Sequence, residues 1–235
     1  MSKVIKEFSR FAHQYDQHNE IQTQVAKTLV SNLSARTYEN ILDLGCGSGA
    51  VAKNLQEGQY NYDTLTVFDS SQAMLDIHPS SEKISKVCGD FNNIDFTKHL
   101  PRTQYELLLS SSAIQWSTNL DRTFELLSRL SQNAYFAIFT SGTFKTLHEL
   151  GKVNSPIYSA AAIEKSIEKY YSEVNFTLHH YTLSFASVRE MFRYIKKSGV
   201  SAGEKKLGFK ETKCLMESYP LDHLEFEVLF VEAIV

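Results

Sequence analysis

The feature that most constrains this chain is a short apolar run, Ile41-Leu42-Asp43-Leu44, that breaks into Gly45-Cys46-Gly47-Ser48-Gly49 and resumes as Ala50-Val51-Ala52-Lys53-Asn54-Leu55. Three alternating glycines permit a turn too tight for side chains and leave room for a ligand against the main chain. The segment after Gly49 has the apolar spacing of a helix. Strand, glycine loop and helix make the first half of a βαβ unit. Its second strand, Thr64-Leu65-Thr66-Val67-Phe68, ends in Asp69, which lies 20 residues beyond Gly49 (69 − 49). A carboxylate at that distance is placed to accept from the two hydroxyls of an adenosine ribose.

The alternation continues along the chain. Strands are expected over 39–44, 63–68, 84–88, 104–110 and 133–140, with helices over 49–56, 71–77 and 119–130. That order predicts a doubly wound, mostly parallel α/β sheet, Rossmann-like and seven-stranded, with ligands at the carboxyl ends of its strands. Residues 3–33 read as two helices broken near Tyr15-Asp16. After Ser141-Gly142 the rhythm changes: 143–170 looks helical, followed by a strand over 176–185, a helix over 187–197 and a buried C-terminal strand near Leu224–Val231. The expected organisation is one domain: an N-terminal helical lid (1–37), a nucleoside-binding core (38–141), an inserted cap and substrate region (142–200) and a segment completing the sheet (201–235).

Composition narrows the function classes. A net charge of −3 gives no general attraction to nucleic acid or an anionic membrane. No apolar run approaches the ~18 residues of a membrane span. Cys46, Cys88 and Cys214 are too scattered for a disulfide framework or a CxxC metal pair, as expected of a cytoplasmic protein without a metal site. Cys46 has no adjacent base, so its small size explains it better than nucleophilic chemistry.

The glycine spacing alone also fits dinucleotides, because Gly45, Gly47 and Ala50 satisfy the looser pattern. Asp43 discriminates. A carboxylate two residues before the first glycine would repel a pyrophosphate, whereas S-adenosylmethionine brings an ammonium and a sulfonium there. An NAD-dependent oxidoreductase is therefore disfavoured. The candidate cofactor residues are Asp43, Gly45, Cys46, Gly47, Gly49, Asp69, Ser70, Met74 and Ser110, with Asp90 and Phe91 at the adenine. After the fourth strand, Gln115 and Trp116 are candidates for the acceptor wall. No Asn/Asp-Pro-Pro-aromatic run stands there, which counts against methylation of nucleobase amines.

The N-terminal run Phe8-Ser9-Arg10-Phe11-Ala12-His13-Gln14-Tyr15-Asp16, followed by Gln22, Ala26 and Leu29, resembles the malonyl-acyl carrier protein O-methyltransferases of biotin synthesis. The glycine loop with Asp43, then Ala113-Ile114-Gln115-Trp116, Leu147-His148-Glu149-Leu150 and Tyr219-Pro220-Leu221, resembles the same family in the same order. One departure is Ser131-Gln132-Asn133, where many relatives turn through a Pro-Gly-Gly type sequence. The resemblance implies methylation of the free carboxylate of a malonyl thioester on acyl carrier protein, or of malonyl-CoA. It also implies Tyr15 as a positioning residue, with no general base. Arg189 and Arg193, together with Lys196, Lys197, Lys205 and Lys206, are candidates for receiving the malonyl carboxylate and the acidic carrier. Other small-molecule methyl acceptors, such as a quinone precursor, and a non-catalytic adenosylmethionine-binding module are the alternatives.

Overall fold

The computed structural model describes residues 19–197 and 209–235. The first helix, α1 (Glu20–Ser31), buries Ile21, Val25, Ala26, Leu29 and Val30, the stripe expected of a helix lying on a sheet. There follow β1 (Tyr38–Leu44), α2 (Ala50–Glu57), β2 (Tyr62–Asp69), α3 (Gln72–Ile77), β3 (Ile84–Cys88) and β4 (Leu107–Ser111). Then come α4 (Leu120–Leu130), β5 (Asn133–Phe139), α5 (Lys145–Gly151), α6 (Ala160–Ile167) and β6 (Glu173–Ser184). The chain closes with α7 (Val188–Lys197), α8 (Phe209–Ser218) and β7 (His223–Ile234).

All seven strands join one sheet in the order β3-β2-β1-β4-β5-β7-β6. The first five are parallel, and β7 inserts antiparallel between β5 and β6. The order reverses between β1 and β4, and a crevice opens at the carboxyl ends there. Strand alternation divides the core into two layers. Leu42, Leu44, Leu108, Phe136 and Ile138 pack with Phe124 and Leu127 of α4 and with Ile163 and Ile167 of α6. Ile41, Leu65, Val67, Leu107 and Leu109 pack on the opposite face with α1 and α2. The parallel strands are apolar on both faces because helices cover both.

The region 142–200 combines helices with the strand expected near 176–185. It contains β6, which pairs with β7 over twelve residues at the sheet edge. Its helix α6 lies in a flanking layer, with Ile163 and Ile167 fully buried and Ser166 Oγ donating to Asp121 Oδ1 of α4 at 2.6 Å. Two isoleucines four residues apart give α6 an apolar face that only the sheet and α4 can cover. α5 buries no residue fully, though its Leu147 packs against the core beside Phe144. The sequence pattern also passed over α8. Of the two helices expected over 3–33, the second is α1, and the first lies outside the described residues. No described helix is long and apolar enough to cross a membrane.

Candidate functional site

Where β1 ends, Gly45, Gly47 and Gly49 take φ of +76°, +52° and +94°. These left-handed values disfavour any residue with a Cβ. At Gly45 the demand is also steric, since a Cβ would lie 2.2 Å from that of Ala113 in the loop after β4. The amides of Gly45 and Cys46 both donate to the Phe68 carbonyl at the end of β2, at 2.7 and 3.1 Å. Asp69, one residue on, completes the tie. Its Oδ2 accepts from Gly47 N at 3.0 Å and its Oδ1 from Ser71 N at 2.8 Å. The carboxylate expected to hold a ribose thus also holds the glycine loop in shape.

Above this loop lies a cleft of about 230 Å³. Gly45, Cys46, Gly47, Asp69, Ser70, Met74, Asp90, Phe91 and Trp116, all singled out in the sequence, line it together. Gly49 caps α2 behind the loop, against His78 and Pro79. Asp43 is not in the wall. It is wholly buried beneath the loop, with neither carboxylate oxygen finding a hydrogen-bond partner among the described residues. Burial, and then the charge of Asp69, pushes its pKa up to about 8. Asp69 is itself raised by burial, against the lowering by its amide donors. Burial and the charges of Asp43 and Asp69 raise the Cys46 thiol well above its ordinary value, so it is not a poised nucleophile.

Two further residues are displaced from the expected roles. Ser110 is 1% exposed and donates to the Leu44 carbonyl at 2.7 Å, tying β4 to β1. Successive strand residues point to opposite faces, so with Ser110 turned inward Ser111 is left to the cleft, and Ser112, just past the strand end, lines it too. Gln115 is buried and donates Nε2 to the Ser112 carbonyl at 2.7 Å. It buttresses the wall from behind, while Ser112 holds a left-handed φ of +62°. Arg189 and Arg193 are exposed on α7 and do not line the cleft. Tyr15, Lys205 and Lys206 lie outside the described residues, as do the side chains of Lys196 and Lys197.

Other lining residues had no assigned role in the sequence pattern: Asn19 and Gln22 of the α1 segment, Asn92 and Thr118, and Ser111 and Ser112 of the loop expected at the acceptor. The signal for Ser111 and Ser112 was their position at a strand's carboxyl end. Gln22 was marked only as part of the family resemblance; its Oε1 is buried with no partner among the described residues, and packing of α1 on the sheet brings it to the cleft. Among the described residues that line the cleft, none is basic, and Asp69 and Asp90 are the carboxylates. Two acidic side chains in the wall make an electronegative seat suited to a cation. Asp43 beneath it, mostly protonated at neutral pH while the cleft is empty, ionises more readily once a cation is seated above.

Residues 41–133 match the family model described as a methyltransferase domain. A solved putative methyltransferase from Bacillus halodurans superposes with a TM-score of 0.61 at 14% identity, covering 90% of this chain and 98% of the other. This is the class I methyltransferase fold. The phosphoethanolamine N-methyltransferase 2 of Haemonchus contortus, solved with S-adenosylhomocysteine, superposes with a TM-score of 0.58 at 13% identity, over 96% of this chain and 57% of that one. In sequence the chain is similar to the malonyl-[acyl-carrier protein] O-methyltransferase of Priestia megaterium, 28% identical over 152 residues. That match covers 61% of this chain and spans 53% of the relative's length. The enzyme of the same name from Enterobacter lignolyticus is 26% identical over 207 residues, covering 84% of this chain and 79% of the relative.

Proposed function

We propose that this protein is an S-adenosylmethionine-dependent methyltransferase whose acceptor is the free carboxylate of a malonyl thioester, carried by acyl carrier protein or coenzyme A, in an early step of biotin synthesis. The observation that carries the cofactor half is Asp43, a carboxylate buried beneath the glycine loop whose two oxygens have no hydrogen-bond partner among the described residues. Buried carboxylates without partners are costly, and a cation seated above them offsets that cost. A pyrophosphate would worsen it. The acceptor half rests on the similarity to the curated relatives.

Asp69 and Asp90 would hold the donor's ribose and adenine, Met74 and Phe91 would cover the ring, and the Gly45–Gly49 loop would take the methionine portion. S-adenosylmethionine, when bound, supplies an electrophilic methyl group on a positively charged sulfur. The remaining task of the chain is to orient, desolvate and exclude water. A malonyl carboxylate has a pKa of roughly 4 or below and is ionised at neutral pH, so no general base is needed. Ser111, Ser112, Gln22 and Trp116 are the neutral groups available to orient an acceptor, and orientation contributes roughly 7–11 kcal/mol in favourable cases. Neutral donors suit this reaction, because a cationic donor and an anionic acceptor lose their charges as they react.

The test incubates the purified protein with methyl-labelled S-adenosylmethionine and malonyl-carrier thioester, with acetyl-carrier thioester as control. Label is expected in the malonyl ester only. Transfer to both thioesters, or to neither, refutes the acceptor assignment.

A further inference from the structure

Asp90-Phe91-Asn92 follows β3, whereas Trp116-Ser117-Thr118 follows β4, and two strands, β2 and β1, separate them in the sheet. The two loops nevertheless meet over the cleft, and Asp90, Phe91, Asn92, Trp116 and Thr118 all line it. Asn92 joins them. Its Oδ1 accepts from Thr118 N at 2.7 Å and from Thr118 Oγ1 at 3.0 Å, and its Nδ2 donates to the Trp116 carbonyl at 3.3 Å. Its backbone amide donates to Asp90 Oδ1 at 2.9 Å. A neutral amide is suited to this position, because it presents a donor and an acceptor together and adds no charge to the cleft. From the other side, Tyr158 Oη donates to the Ser117 carbonyl at 3.0 Å, so the turn is gripped at consecutive residues.

We propose that Asn92 is a positioning residue that couples the two halves of the cleft, so that occupancy beside Asp90 and Phe91 sets the wall formed by Trp116 and Thr118. This rests on the reading of the Asp90 side as the donor half. A ligand that engages the Asp90 carboxylate acts on the group that accepts from the Asn92 amide, and through the Asn92 side chain on the turn beyond it. The consequence is cooperative binding: a seated donor pre-arranges the acceptor wall.

Trp116 is the only tryptophan of the chain, so its emission reports the wall directly. The experiment titrates the full-length protein with S-adenosylhomocysteine, following heat and Trp116 emission in parallel, for wild type, Asn92→Ala and Asn92→Asp. Wild type is expected to bind with a change in emission. At saturating S-adenosylhomocysteine, the emission change of Asn92→Ala is expected to fall by roughly half or more relative to wild type, whatever its Kd. Asn92→Asp keeps the acceptor for Thr118 and loses the donor to Trp116, so its amplitude falls in between. A wild-type emission that ignores bound ligand overturns the coupling, as does a full-amplitude response in Asn92→Ala. If Asn92→Ala does not fold, a full-amplitude response in Asn92→Asp overturns it. Wild-type protein that gives no binding heat refutes the cofactor assignment, and the coupling with it.

Discussion

Asp43→Asn separates the cost of the buried carboxylate from its use. The Asp43 pKa stands at about 8 in the folded protein against an ordinary 3.8. A raised folded pKa means that the native state holds its proton more tightly than the unfolded chain does. Its contribution to stability is full below the unfolded value and is lost as pH rises towards 8. Each pH unit inside that window removes about 1.4 kcal/mol. Between pH 5.5 and 7.5 the unliganded wild type should therefore lose roughly 3 kcal/mol relative to Asp43→Asn, whose side chain does not titrate. Asp69 is common to both proteins and cancels to first order in that difference. Urea denaturation at the two pH values measures it. The same variant should bind S-adenosylmethionine more weakly than wild type, and lose more affinity for it than for S-adenosylhomocysteine, whose sulfur is neutral. Parallel pH dependences in the two proteins, or undiminished affinity in the variant, would refute the argument that a strained carboxylate awaits a cation.

Three further outcomes are expected. Gly45→Ala combines a left-handed backbone with a Cβ set 2.2 Å from that of Ala113, and should cost about 2–3 kcal/mol in urea denaturation, with partial recovery when Ala113→Gly is added. Ile163→Ala, in the segment expected to be a cap, removes a fully buried side chain and should cost about 2–5 kcal/mol, while the folded variant keeps its affinity for S-adenosylhomocysteine in calorimetry. A loss of affinity without a loss of stability would return α6 to the substrate region. Arg189→Glu with Arg193→Glu, on an exposed helix face, should raise KM severalfold for malonyl-carrier thioester while sparing malonyl-CoA. Equal effects on both substrates would reject carrier docking there.

The parts of the site that could be recognised in the linear chain are those whose chemistry is local. Gly45, Gly47 and Gly49 are needed by a turn that spans a few residues, and Asp69 sits at a fixed distance because one helix and one strand intervene. Alternating apolar segments likewise implied β1 to β5 and the helices between them. The linear chain says less where a residue's role depends on which strand face it occupies or on distant partners. Along β4 the hydroxyls of Ser110 and Ser111 point to opposite faces, and apolar spacing near a strand end is too coarse to say which of the two reaches the cleft. The helical pattern of 160–167 is equally compatible with a cap and with a flanking layer; the choice follows from the exposed sheet face and α4 that Ile163 and Ile167 meet.

By itself, the order of residues determined the strand–glycine–helix start, the doubly wound sheet and the acidic character of the ligand seat, since backbone sterics and hydrophobic periodicity act between near neighbours. Only the tertiary structure decided that Asp43 lies sealed under the loop, that Gln22 reaches the cleft from α1, and that Asn92 bridges loops two strands apart. Those facts arise from packing between segments distant in sequence, where burial and hydrogen-bond partners are set by what the fold brings alongside.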